Sequence, residues 1–385
     1  MVVGLATTYD WNDVNRGSGT YHFFAQALRR QGHPIIKLGP VEFHSPLLSR
    51  CLRNVHRRLN KHLPVFLDPL IGKHTGRQID EQIRISDPRP ELLITNDMCI
   101  AAFVKTPLPV VLYTDMMLTY DYEERGIPTS KLANLSILGL SMVRHMFRRA
   151  MRRARNCVFP AEWSASEAIR YGIPPSKVRV IPFGANIDDP GAEPTARRLS
   201  RPPSKEKLDV LFIGKDWIHK GGDIALESIE VMRSKGIKAV LHVAGECPEH
   251  LSPLPHVKPY GFLDKRVAAD RQTMDRLYTD CDILILPSKR EGFGIVAVEA
   301  AAYGMPVVAY GVSGLKSAVI DGQTGSLLPQ ASKAKDFAAC ISAWLTDESN
   351  YKDFAVRARK HFESSASWVV ASKRVLELIQ ERAMN

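Results

Sequence analysis

The sequence predicts an α/β protein built on parallel sheets and divided into two domains. Its 385 residues exceed what one hydrophobic core ordinarily serves. Short apolar runs such as Ile283–Leu286 are rich in β-branched residues and hydrophobic throughout, the pattern of strands buried on both faces. These runs stop at glycine-containing loops that lead into helical periodicity. The clearest case is ILILPSKREGFGIVAVEAAAYG, from Ile283 to Gly304, where Gly304 and then Pro306 close the helix in the expected order.

Composition narrows the class. A hydrophobic content of 45% and a charged content of 24% are ordinary for a soluble globular enzyme. No apolar run reaches the roughly 18 residues of a membrane span, and the chain opens on a strand pattern without the layout of a signal peptide. The six cysteines form no C-x-x-C pair and read as reduced thiols, so a cytoplasmic location is expected. The net charge of +11 is uneven: up to residue 190 there are 25 Lys and Arg against 17 Asp and Glu, and beyond it 27 against 24. A basic N-terminal half suggests an anionic partner.

Taken in order, Val2 to Thr7 reads as a first strand. The loop Asp10 to Thr20 contains Asn15-Arg16-Gly17-Ser18-Gly19, and a helix from about Thr20 carries Phe23, Phe24, Ala27 and Leu28 before Gly32. Strand, glycine loop and helix make a candidate phosphate cradle, or simply a tight turn. Two basic amphipathic stretches follow. Leu48, Cys51, Leu52, Val55 and Leu59 stripe one, beside Arg50, Arg53, Arg57, Arg58 and Lys61. Val143, Met146, Phe147, Ala150, Met151 and Ala154 stripe the other, beside Arg144, Arg148, Arg149, Arg152, Arg153 and Arg155. Each is either a core stripe with a solvated basic face or a contact with an anionic membrane or acidic acceptor. Neither interleaves aromatics with its charges, so no nucleic-acid partner is expected.

Leu92 to Thr95 and Val110 to Tyr113 read as buried strands, and Asp115 follows the second. Val158 to Pro160 and Val178 to Pro182 read as further strands, and residues 189 to 207, rich in Pro, Arg and Ser, as a linker. The first domain is thus expected over 1–188, with the final helix from about Trp368 packing back on it, and the second over 208–367. In the second, Leu208 to Gly214 restarts a strand, and Lys215 to Gly222 forms the loop after it. Leu241 to Gly245 is another strand. Asp280-Cys281-Asp282 has the form of a D-x-D metal motif, but Asp282 begins a buried strand, so no metal site is expected there. Gly311 to Gly314 and Asp321 to Gly325 read as glycine turns, the second as a hairpin turn.

The segment after Leu286 carries the chemistry. Ligands of an open parallel sheet bind beyond the carboxyl ends of its strands, where a helix start offers free N–H groups to an anion. Gly292 and Gly294 allow close backbone approach. Glu291 and Glu299 bracket the helix start and are strong acceptors for sugar hydroxyls. Alternatively, Glu291 is a solvated loop residue and Glu299 merely suits the helix dipole.

Pro287-Ser288, Glu291-Gly292-Phe293-Gly294, Glu299 and Gly304-Met305-Pro306-Val307-Val308 together resemble the donor-site signature of retaining glycosyltransferase family 4. The resemblance implies the GT-B architecture, two Rossmann-like doubly wound domains facing across a cleft. It implies hexosyl-type transfer from a nucleotide-diphosphate sugar to a glycan, lipid-linked or small-molecule hydroxyl, in polysaccharide or glycoconjugate synthesis. It places the Gly17, Ser18, Gly19 loop at the donor diphosphate and Lys215 and Lys220 on that diphosphate, with His219 as a possible assistant. Tyr260-Gly261-Phe262-Leu263 would seat the base, and Gly292, Phe293, Gly294 and Ile295 the phosphate. Where many members have a histidine near the transferred sugar, this chain has Asp115, with Asp121, Glu123 and Glu124 as competitors, or Asp115 merely caps a turn. Lys220, Glu291 and Asp115 are the implied catalytic residues, in a front-face route needing neither a nucleophile nor a metal cofactor. Peripheral contact with the inner face of an anionic membrane is an allied expectation. The rival readings are a nucleotide-sugar epimerase or hydrolase on the same fold, and a basic binding protein with a degenerate site.

Overall fold

The computed structural model describes residues 1–43, 47–58, 68–115 and 137–381. It divides into two units. One comprises Met1–Asn12, Phe24–Ile181 and the chain from Val375; the other comprises Asp13–Phe23 and Pro182–Arg374.

The first unit holds a parallel sheet of β1 (Val3–Ala6), β2 (Ile35–Leu38), β3 (Leu92–Thr95), β4 (Val110–Tyr113), β5 (Asn156–Phe159) and β6 (Val178–Val180). Its order is β2-β1-β3-β4-β5-β6. Every residue of β1, β3, β4 and β5 is buried, as continuous apolar runs covered on both faces should be. One cover is the helix Ile137–Arg153, whose Val143, Met146, Phe147, Ala150, Met151 and the following Ala154 are all buried against Cys99, Ala102 and Cys157. That basic stretch is therefore a core helix. Two of its arginines are also tied into the unit: Arg149 Nε donates to the Ala102 carbonyl at 2.8 Å, with its guanidinium 5.3 Å from the Phe103 ring, and Arg153 donates to the Thr106 carbonyl. The helix Leu47–Arg58 behaves oppositely. Leu47, Leu48 and Val55 on it are 78%, 61% and 53% exposed.

The second unit holds β7 (Leu208–Gly214), β8 (Ala239–Gly245), β9 (Val257–Gly261), β10 (Ile283–Leu286), β11 (Val307–Tyr310) and β12 (Gly325–Leu328). All pairings are parallel, in the order β12-β11-β10-β7-β8-β9. The order reverses between β7 and β10, where Ile283 and Leu284 pair with Val210 and Leu211. A doubly wound sheet opens a crevice for ligand at that reversal, outside the carboxyl ends of the strands.

Two sequence expectations change here. Residues 189 to 207 contain a helix, Glu193–Ser200, and belong to the second unit. Its Arg198 is buried, donating to the Tyr278 and Cys281 carbonyls at 2.9 and 2.6 Å, so carbonyls at a helix end satisfy a charge that composition alone reads as solvated. The turn at Asp321 to Gly325 is no hairpin. It follows the short helix Leu315–Ala318, and the strand it opens, β12, runs parallel to β11.

Candidate active site

The loops that leave β7 and β10 at the reversal carry the site. After Gly214 come Lys215 and Asp216, and Asp216 caps the short helix Trp217–Lys220 by accepting from the His219 N–H at 2.8 Å. Trp217 is buried and pins the turn, its indole N–H donating to Asp223 at 2.7 Å and its backbone N–H to Glu246 at 3.1 Å. The helix ends at Gly221, whose φ of +76° and whose distance from the Pro287 carbonyl both exclude a side chain: a Cβ there would lie 2.2 Å from that oxygen. So placed, Lys220 Nζ reaches Glu291 Oε1 at 2.6 Å. Lys215 lies beside Phe262, its Nζ 4.8 Å from the ring centroid, and Phe262 is 55% exposed.

The loop after β10 is equally constrained. The Gly314 N–H donates to the Glu291 carbonyl at 3.1 Å, and a Cβ on Gly314 would meet the Gly292 carbonyl at 2.2 Å. Gly294, at φ +101°, opens the helix Ile295–Ala302 with no side-chain cap. The Ala297 N–H turns back to the Gly294 carbonyl at 2.9 Å, and no side chain caps the remaining first-turn N–H groups, which stand at the positive end of the helix dipole. Phe293 is buried, 5.7 Å from the Phe183 ring, and a Cβ on Gly294 would meet the Leu315 side chain at 2.7 Å.

Glu299 is set deeper. It is 3% exposed, and both oxygens are already held: Oε1 accepts from Lys265 Nζ at 2.9 Å and Oε2 from the Tyr278 hydroxyl at 2.7 Å. Burial first, and then the charge of Glu299, push the Tyr278 phenol well above its ordinary pKa, so it stays a donor. Lys265 Nζ also donates to the Asn186 carbonyl at 3.0 Å.

Asn186 joins the glycine loop to this network. Its side-chain amide donates to the Ser18 carbonyl at 2.9 Å and to the Thr20 hydroxyl at 3.2 Å, while its Oδ1 accepts from the Trp368 indole at 2.8 Å. A second tether runs from Asn15 Nδ2 to Asp264 Oδ1 at 2.7 Å. The Asp264 carboxyl is held well below the usual range, mainly by the Arg266 side chain and then by the Arg266 backbone N–H and Asn15. Between the tethers Gly17, Ser18 and Gly19 all have positive φ, at 53°, 57° and 87°. Glycine tolerates that region and serine does not, so Ser18 is strained where the loop turns.

Lys220, Glu291 and the loop Gly292 to Ile295 are thus brought together, with Lys215, Phe262 and Leu263 on the neighbouring strand ends. Asn186, Asp264 and Lys265 were not read from the sequence as site residues. The one available signal is position: Asn186 lies just before the expected domain end at 188, and Asp264 and Lys265 directly follow the segment Tyr260 to Leu263. Asp115 belongs to the first unit. It lies half-buried beside Tyr9, whose phenol is raised by burial and also by the charges of Asp97 and Asp115. Asp97 there accepts from the Thr8 hydroxyl at 2.9 Å and caps the helix Met98–Phe103. The competing residues Asp121, Glu123 and Glu124 lie outside the described residues. Of the D-x-D pair, Asp282 accepts the Asp209 N–H at 2.8 Å, and burial raises its carboxyl to about 6. Among the described residues no three His, Cys, Asp or Glu side chains converge as metal ligands would.

Two family models match the chain, "Glycosyltransferase Family 4" over residues 20–189 and "Glycosyl transferases group 1" over residues 196–361. A D-inositol 3-phosphate glycosyltransferase of Rhodococcus erythropolis is 30% identical over 230 residues, covering 56% of this chain and 51% of that protein. The chain spans about half the length of the curated relatives it matches. Among solved structures, sucrose-phosphate synthase from Thermosynechococcus elongatus superposes with a TM-score of 0.67 at 17% identity, covering 100% of this chain and 99% of that one. Anabaena HepE, solved with UDP and glucose, superposes at 0.60 and 16% identity, covering 98% and 99%.

Proposed function

The chain belongs to glycosyltransferase family 4 and has the GT-B fold, and from that premise we propose that it moves a sugar from a nucleotide-diphosphate donor to an acceptor hydroxyl with retention of configuration. The observation that carries this reading is the cation cluster at the sheet reversal. Lys220, paired with Glu291, and Lys215 stand on the loop after β7, and an uncapped helix start stands on the loop after β10. A departing nucleoside diphosphate gains negative charge as the glycosidic bond breaks, and preformed positive groups lower that barrier.

In the proposed step the bond from the anomeric carbon to the diphosphate oxygen breaks on the face where the acceptor oxygen bonds. The acceptor proton passes to the departing phosphate oxygen. Lys215, Lys220 and the N–H groups at Ile295 hold the diphosphate. Glu291 takes sugar hydroxyls, and Glu299 takes ribose hydroxyls on lone pairs left over from Lys265 and Tyr278. Phe262 and Leu263 face the base, the tethered Gly17, Ser18, Gly19 loop faces the diphosphate, and Asp115 stands for the family's histidine beside the transferred sugar.

HepE is solved with UDP and with UDP-glucose, which makes UDP-sugars the first donors to try. The relatives named as D-inositol 3-phosphate glycosyltransferases make phosphorylated polyols worth including beside glycan and lipid-linked acceptors. With a matched pair, the product is expected to be an α-configured glycoside from an α-linked donor, together with nucleoside diphosphate. Free or epimerised sugar in its place would instead establish the hydrolase or epimerase. The two lysines and the helix end supply the positive field, so no metal cofactor enters the scheme. Turnover in excess EDTA is expected to stay within about twofold of the untreated rate. Loss restored by manganese would return attention to Asp280 and Asp282.

Among the described residues no helix is long and apolar enough to cross a membrane. For peripheral contact the helix Leu47–Arg58 is the favoured element, since it presents exposed leucines beside Arg50, Arg57 and Arg58. Its leucines would enter the headgroup boundary while the arginines meet anionic lipid. Vesicles containing phosphatidylserine should retain the wild type at low salt and release it as salt is added. Leu47→Ser with Leu48→Ser should weaken retention about tenfold. Equal retention of both proteins would remove this helix from consideration, and charge reversal at the exposed Arg148 and Arg152 would then test the core helix.

A further inference from the structure

The second unit has cavities that the donor scheme does not use. The larger, of about 530 Å³, lies between the β8–β9 edge of the sheet and the helix Ala268–Asp280. A smaller one of about 190 Å³ adjoins it and shares Arg197, Arg201, Lys207, Asp209 and Asp280. Several of these residues sit at the amino-terminal side of their strands. Asp209 is the second residue of β7 and Lys258 the second of β9, and Asp282, in the smaller cavity, directly precedes β10. The donor loops leave the opposite, carboxyl ends. At about 3.3 Å per residue, β7 alone separates Asp209 from the loop after Gly214 by roughly 17 Å.

The floor of the larger cavity is a built polar group. His242 is 7% exposed and held on both ring nitrogens, with Nε2 at 2.8 Å from Asp209 Oδ1 and Nδ1 at 3.0 Å from the Tyr260 hydroxyl. Burial works against the Asp209 charge, but its hydrogen bond with His242 and the nearby ammoniums of Lys207 and Lys258 hold its carboxyl below the usual range. An ionised Asp209 requires Nε2–H to be the donor, so Nδ1 accepts from Tyr260. The Tyr260 ring lies nearly parallel to the imidazole, at 16° and 5.8 Å between centroids.

Above this floor the wall is cationic. Arg197, Arg201, Lys207, Lys258 and Arg276 face two carboxylates, Asp209 and Asp280. Arg197 pairs with Asp280 at 2.9 Å and Lys207 with Asp209 at 3.5 Å. Among the described residues Arg201, Lys258 and Arg276 pair with no carboxylate, although Arg276 donates to the Gln272 carbonyl and the Thr273 hydroxyl. Three uncompensated cations around a cavity of small-molecule size call for a compact ligand with more than one negative charge. Arginine favours phosphate in that role through its planar fork of donors. Nucleic acid is a poor fit, because the one aromatic face is already laid against His242.

We propose that this cavity is a second anion site, separate from the donor site, for a small molecule bearing two or more phosphate charges. Inorganic pyrophosphate is the probe, titrated calorimetrically into the full chain. The wild type should bind two equivalents, one at the donor site and one here. Lys220→Ala should lose the first and keep the second. The variant Arg201→Ala, Lys258→Ala, Arg276→Ala should keep the first and lose the second by tenfold or more in affinity, with its UDP-induced thermal shift intact as proof of folding. Should that variant fail the folding control, Lys258→Gln replaces it, with a loss of about threefold to tenfold expected. ATP and fructose 1,6-bisphosphate then distinguish a nucleotide from a sugar bisphosphate as the carrier of the phosphates. The proposal is overturned if the cavity variant binds pyrophosphate as the wild type does. It is equally overturned if Lys220→Ala abolishes all binding, or if sulfate competes as well as pyrophosphate at equal ionic strength.

Discussion

Replacing Lys220 by alanine is expected to lower kcat by about 10²–10³-fold, the cost of removing one preorganised charge from a transition state that develops charge. The loss should fall on kcat more than on KM, since the ground-state donor gains less from the lysine than the departing diphosphate does. The fold should survive. Lys220 is 29% exposed at its side chain, and a partly solvated ion pair contributes on the order of 1 kcal/mol or less. Lys220→Arg should recover part of the rate, because it restores the charge in an altered geometry. Steady-state kinetics with the donor varied and a thermal melt on each variant make the measurement. Wild-type kcat in Lys220→Ala would remove the residue from the reaction.

Asn186→Ala is expected to act on both stability and rate. Asn186 is fully buried and makes three side-chain hydrogen bonds, to the Ser18 carbonyl, the Thr20 hydroxyl and the Trp368 indole. Truncation strands the indole N–H in the core, where each unsatisfied polar group costs about 1–3 kcal/mol. A total of about 2–4 kcal/mol follows, since some partners will find water. Transfer should fall as well, by about tenfold, because the strained Ser18 loses one of the contacts that hold it at positive φ. Asn186→Asp separates the two effects: its carboxylate still accepts from Trp368 but cannot donate to Ser18. Denaturant melts and donor kinetics on the pair test this. Two variants with equal rates and equal stabilities would show that the Ser18 contact is incidental.

Much of this arrangement was legible in the sequence, and the reason is local. The runs Leu92–Thr95, Val110–Tyr113, Leu208–Gly214 and Ile283–Leu286 become strands residue for residue, because runs so largely apolar are stable only when covered on both faces. The glycine positions at 221, 294 and 314 likewise follow from backbone demands. What could not be read are partnerships between distant segments. Nothing near Lys265 announces that its ammonium will meet Glu299 and the Asn186 carbonyl, and nothing near Asp264 announces Asn15. The second basic stretch shows the same limit. Periodicity revealed its stripe, but only the neighbouring segment decides that Arg149 and Arg153 reach carbonyls at Ala102 and Thr106. At 189 to 207 composition pointed away from the outcome, because the carbonyls that accept Arg198 come from residues some 80 positions later.

The assignment of Asp13–Phe23 to the second unit bears on modularity. The segment that bends through Gly17 and Ser18 is encoded between β1 of the other unit and the helix Thr20–Arg30, which returns to that unit at Phe24. A gene fragment starting at Pro182 would therefore produce the second unit without its own loop, and without the Ser18 and Asn15 partners of Asn186 and Asp264. Recombining such halves between family members exchanges that loop with the wrong parent. A chimera faithful to the contacts needs two crossovers near the start of the chain, one at its middle and one near Arg374.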